Sequence, residues 1–133
     1  MRNLNAHRRT LVALAAMLLL AAGSASLALA ETAAAPEATY KQMLAALQSG
    51  SVDQFVAEGD AAFKAAMTKP MLEHVSGRLA PRLAKGYTST YLGRLSQQGF
   101  AVHLWKLEFK DGGDDVLVTM SVKDGKVGGF WLR

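Results

Sequence analysis

The chain contains no cysteine in its 133 residues. Disulfides, a cysteine-based redox role and a cysteine-linked lipid anchor are thereby excluded, and stability has to come from packing alone. Histidine is almost as scarce. Of the three present, His7 lies near the N-terminus, which leaves His74 and His103 for the rest of the chain. A Ser-His-Asp hydrolase needs a nucleophile, a base and an orienter in contact, and no Gly-x-Ser-x-Gly elbow accompanies the two histidines. A zinc site needs three or four close ligands, which two distant histidines do not supply. Asp111, Asp114 and Asp115 share one loop, but the twelve-residue calcium pattern is missing and a solvated turn is the plainer reading. Neither a metal nor a cofactor is expected. Internal repeats and long linkers are lacking too, which leaves one small domain.

Long apolar runs are confined to the first 30 residues. Arg2, Arg8 and Arg9 precede an unbroken apolar run from Leu11 to Ala22, and Ala28-Leu29-Ala30 precedes Glu31. A basic start, an apolar middle and an Ala-x-Ala site describe a secretory signal peptide over 1–30, cleaved after Ala30. The run is shorter than the roughly 20 residues of a spanning helix. Arg8-Arg9-Thr10-Leu11-Val12 also resembles a twin-arginine export signal, with ordinary export as the competing reading. The expected location is periplasmic or secreted. The formal charge of +4 belongs mostly to this leader: without its three arginines, 12 Lys and Arg face 11 Asp and Glu. That balance gives no reason to expect a nucleic-acid partner, or a membrane partner after cleavage.

Residues 31–36 are alanine-rich and read as a flexible lead-in to a domain over 37–133. Tyr40, Met43, Leu44 and Leu47 fall at i, i+3, i+4 and i+7, one apolar helical face. Ser51-Val52-Asp53-Gln54 is a capping box that predicts a second helix with Val52, Phe55, Val56, Phe63 and Met67 on one side, bent or frayed at Gly59. A third helix starts near Thr68-Lys69-Pro70 with Leu72, Val75 and Leu79 as its stripe, and Pro81 ends or kinks it. After Gly86 the apolar period changes from 3.6 to 2. Tyr87–Leu95, Ala101–Phe109, Val116–Val122 and the closing stretch after Asp124-Gly125 read as four strands joined by short turns. Gly128-Gly129 fits a bulge or strong bend in the last one. The sum is an α+β domain, with N-terminal helices packed on a curled four-stranded antiparallel meander.

A few residues stand out on this scaffold. His103 and Trp105 share a strand face and are candidates to line a ligand pocket, against the plainer reading of a core Trp and a satisfied His. Tyr87 and Tyr91 share a face of the first strand, where their hydroxyls could orient a ligand or simply stay wet. Phe130 and Trp131 are neighbours on a strand and must point to opposite faces. One enters the core, and the other is a candidate for an interface. His74 reads as solvent-facing. An isomerase-type site needs a buried carboxylate. Glu108 points away from the Trp105 face, which leaves only Glu58 and Asp60.

Phe55 to Met67, the Thr68-Lys69-Pro70-Met71-Leu72 helix start and above all Asp124-Gly125-Lys126-Val127-Gly128-Gly129-Phe130 carry a resemblance. The chain resembles the nuclear transport factor 2-like superfamily, a cystatin-like cone. It is similar in particular to secreted bacterial domains of unknown function found alone or N-terminal to an α/β-hydrolase domain. The resemblance implies a cone-shaped fold, frequent dimerisation through the sheet and an accessory, binding or assembly role. Other branches of the superfamily are isomerases and dehydratases with acids or histidines inside the cone. The leading expectation is a non-catalytic binding domain holding a small hydrophobic ligand, as a homodimer through the sheet. The alternatives are a module regulating an envelope hydrolase, or an isomerase or dehydratase with His103 as base.

Overall fold

The structure, a computed structural model, describes the backbone of residues 24–133 and the side chains from Ala35 onward. The leader expected over residues 1–30, with its cleavage site and paired arginines, lies outside the residues whose side chains are described. Residues Ala35–Arg133 form one compact unit.

Four helices precede four strands: α1 Ser24–Ser49, α2 Val52–Phe55, α3 Ala61–Ala66, α4 Lys69–Ala84, β1 Tyr87–Gln97, β2 Phe100–Phe109, β3 Val116–Lys123 and β4 Lys126–Leu132. The strands pair in sequence order as one antiparallel meander. This is the α+β architecture that the change of period announces.

Tyr40, Met43, Leu44 and Leu47 of α1 are all essentially inaccessible. They pack against Trp105, Leu107, Phe109, Val118 and Met120, with Phe55, Phe63, Leu72, Leu79 and Leu83 completing the core. The helices therefore cover the sheet face that carries His103, Trp105, Leu107 and Phe109.

Two helical expectations need correction. The second helix is two short ones with a break at Gly59. The Asp60 amide donates to the Val127 carbonyl (2.8 Å) and the Val127 amide to the Glu58 carbonyl (2.8 Å), so this stretch pairs with β4 instead of continuing the helix. Asp60 then starts α3 afresh, its carboxylate accepting from the Phe63 amide at 2.7 Å. Pro81, for its part, lies inside α4 and does not end it. Its missing N–H costs one helical bond, but Leu79 and Leu83 on either side are both buried. Keeping both in the core carries the helix on to Ala84, and Gly86 (φ +101°) turns the chain into β1.

The turn chemistry is as the sequence suggests. Asp124 and Gly125 both have positive φ, as a type I′ hairpin requires. Ser121 pairs with Gly129 and Val122 with Val127, which leaves Gly128 as the extra residue of a bulge. A Cβ at Gly128 would lie 2.6 Å from the Phe100 ring. A second bulge, which the sequence pattern does not announce, sits at Leu92, between the Tyr91–Trp105 and Gly93–Leu104 pairs.

Candidate functional site

Alternation along β1 and β2 brings Tyr91, His103 and Trp105 together on the helix-covered face. Tyr91 stands opposite Trp105 in the register, and Arg94 opposite His103. The Tyr91 hydroxyl and His103 Nδ1 are 3.0 Å apart. Tyr87, the fourth expected site residue, lies on the same face further along β1, opposite Phe109.

Three further residues complete the cluster. Trp105 Nε1 donates to the Glu37 carboxylate at 2.6 Å. The Tyr40 ring lies flat on the Trp105 ring, with centroids 4.1 Å apart and planes 4° apart. The Tyr40 hydroxyl bonds the Ser89 hydroxyl at 2.8 Å. The spacing held a signal for all three. Glu37 lies one turn before Tyr40 on the α1 face that continues to Leu44, and Ser89 sits between Tyr87 and Tyr91 in the β1 alternation.

Burial sets the electrostatics here. It pushes the Tyr40 hydroxyl up to about 12, with the Ser89 bond pulling modestly the other way. It raises Tyr91 as well. It lowers His103 below the ordinary imidazole value, and the Arg94 guanidinium lowers it further. At neutral pH His103 is therefore uncharged and shares one proton with Tyr91 across their contact.

The cluster offers little to a ligand. Trp105 is 1% exposed, with Tyr40 against one face and Tyr91 tilted beside it at 5.4 Å. His103 is 5% exposed. Glu37 is shared between Trp105 and Lys41. Among the described residues no fully buried side-chain nitrogen or oxygen lacks a partner. The open part is the Tyr91 ring, 39% exposed. The two acids expected as isomerase candidates point elsewhere: Asp60 caps α3, and Glu58 is exposed and pairs with Lys126 at 3.8 Å. His74 is exposed on α4. Among the described residues no three His, Asp or Glu side chains come together as a metal site. Asp111 is taken by Arg82 (2.8 Å), whose guanidinium also reaches the Asp114 carbonyl and stacks 3.8 Å over the Phe109 ring.

The other face of the sheet differs in kind. Phe130 turns toward the helices and meets Phe55 edge-on at 5.4 Å. Trp131 therefore points outward, with its ring lying on Gly129, where no Cβ would fit. The register aligns Leu95, Val102, Ser121 and Gly129 in one row across the four strands, and Gly93, Leu104, Thr119 and Trp131 in the next. Neither row carries a charge. Leu95 and Trp131 are 47% and 46% exposed.

No protein-family model matches this chain, and a comparison with curated proteins found no match. Among solved structures it is similar to an uncharacterised cystatin-fold protein from Novosphingobium aromaticivorans. The two share 17% identity over 71% of this chain and 94% of the other, with a TM-score of 0.37. Among the described residues, no helix is long and apolar enough to cross a membrane.

Proposed function

We propose that this chain is an exported, non-catalytic accessory domain that acts by contact and pairs with a second copy of itself across the outer face of its sheet. The observation that carries the proposal is the uncharged pair of rows on that face, with Leu95 and Trp131 half open to solvent. A two-fold interface sets a surface against itself. The uncharged rows at its centre meet no like-charge repulsion there, which favours a second copy over a partner chosen by charge. Four strands about 4.8 Å apart make a face about 20 Å wide, on which the two uncharged rows form a central band flanked on β2 by Lys106 and Glu108, which pair with each other at 3.1 Å. An interface of the standard size, about 800 Å² per partner, takes in those flanking residues as well as the uncharged band.

The non-catalytic reading is supported by the cluster around Trp105, where the Trp105 N–H, the Tyr40 hydroxyl and His103 Nδ1 are each taken by a neighbouring side chain. A small hydrophobic ligand at Tyr91, His103 and Trp105 has less to support it, because both Trp105 and His103 are already covered by the chain itself. The helix-then-meander order and the Asp124–Phe130 ending support a nuclear transport factor 2-like lineage. The composition of residues 1–30 supports export.

Sedimentation velocity tests the pairing. The protein should sediment as a dimer at tens of micromolar. W131E and L95E, both on exposed positions, should sediment as monomers with unchanged circular dichroism. A monomeric wild-type protein at that concentration would overturn the self-pairing, and copurification with an envelope hydrolase would then put that enzyme on the same face.

A further inference from the structure

On the helix side of the sheet, away from both the Trp105 cluster and the outer face, a cleft of about 300 Å³ opens between α4 and the ends of β3 and β4. Its floor is aliphatic: Val75 and Leu79 from α4, Val116 from β3 and Leu132 from β4. Val75, Val116 and Leu132 are only partly buried, so the core is left unsealed here. Its rim is cationic. Arg78 and Arg133 line it, both exposed, with His74 one turn before Arg78. Arg78 enters none of the ion pairs among the described residues. The contrast with Arg82, one turn further along α4, is informative. Arg82 is held by Asp111 and the Asp114 carbonyl, whereas Arg78 is left to solvent beside an apolar hollow.

We propose that this cleft binds a straight-chain alkyl carboxylate, with the hydrocarbon on Val75, Leu79, Val116 and Leu132 and the carboxylate on Arg78. A guanidinium offers paired N–H donors that match a carboxylate. The floor presents no side-chain polar group that would select a sugar, a nucleotide or a polar peptide. The volume lies at the low end for small-molecule sites, which suits a short to medium chain. The site's floor is independent of the self-pairing, because Val75, Leu79, Val116 and Leu132 lie on the opposite side of the sheet from Trp131.

The test is a titration of the isotopically labelled protein, followed by amide and methyl resonances, with octanoate, octan-1-ol and acetate as probes. Octanoate should shift Val75, Val116 and Leu132 saturably. The alcohol, which lacks the charge, and acetate, which lacks the chain, should each bind at least about tenfold more weakly. R78Q, on an exposed position, should weaken octanoate about tenfold and leave octanol unchanged. Equal binding of octanoate and octanol would overturn the proposal, as would an R78Q protein with undiminished octanoate affinity. Shifts centred on Tyr91 or Trp131, or no saturable shift at all, would also overturn it.

Discussion

Replacing Trp105 by phenylalanine probes the contact that ties α1 to the sheet. Phenylalanine keeps a ring against Tyr40 but removes three heavy atoms from a site that is 1% exposed. At about 0.8 kcal/mol per buried methylene-sized group, that loss is about 2 kcal/mol. The N–H bond to Glu37 also goes. The Glu37 side chain is 33% exposed, so its carboxylate falls back on water and the bond is worth about 1 kcal/mol. The total, about 3 kcal/mol, is a large share of the 5–15 kcal/mol of a domain this size. It should lower the urea midpoint by about 2 M at a slope of about 1.5 kcal/mol per molar. Trp131 remains as a fluorescent reporter, with circular dichroism as a second probe. A double-mutant cycle with Glu37→Ala, which removes the acceptor, isolates the hydrogen bond: the double variant should lose less than the sum of the singles. A W105F loss below about 1 kcal/mol, or strict additivity with E37A, would refute the packing and the bond respectively.

Other perturbations follow from the same structure. Gly129→Ala should displace the Trp131 ring and cost about 1–2 kcal/mol in chemical unfolding, together with a change in Trp131 emission. His103 titrates below its unfolded value, so the unfolded chain binds the proton more readily. Stability should be full above about pH 6.5 and decline as the pH falls from there toward the folded value, and H103Q should remove that slope. Tyr40 titrates at about 12, so stability should be full below the ordinary tyrosine value and be lost as the pH rises from about 10 to about 12. A spectrophotometric titration should find the last tyrosine to ionise, near pH 12, missing in Y40F. The Arg82 guanidinium holds Asp111 below the usual carboxylate range. Its stabilisation is present above the unfolded value and is lost as the pH falls through the folded one. The acid-unfolding midpoint of R82M should therefore move to higher pH by circular dichroism.

The four-residue stripe from Tyr40 to Leu47, the alternation from His103 to Phe109 and the turn at Asp124-Gly125 were legible because each is a local pattern with one period. The Gly128 bulge was legible because two glycines weaken a flat strand. The break at Gly59 was harder to read. Its cause is a pairing with Val127, 68 positions away in the chain, which no local window contains. Pro81 offers two local outcomes, an end or a kink: the local cost of a proline is visible in the sequence, while the burial of Leu83 that carries the helix past it is not. At the candidate site, Tyr91, His103 and Trp105 were brought together as strand alternation implied. Glu37 and Ser89 had the right spacing, but their roles depend on how α1 lies across the sheet. The opposite facings of Phe130 and Trp131 followed from the strand, yet only the bond network shows which one faces solvent.

The self-pairing of the outer face is tested most directly by acrylamide quenching of tryptophan fluorescence as a function of protein concentration. Trp105 is 1% exposed and Trp131 46%, so the quenchable fraction belongs to Trp131. Quenching should fall, and emission shift to the blue, as the concentration rises from well below one micromolar to tens of micromolar, with W131F showing neither change. Quenching that stays constant across that range would leave Trp131 in solvent and contradict the account.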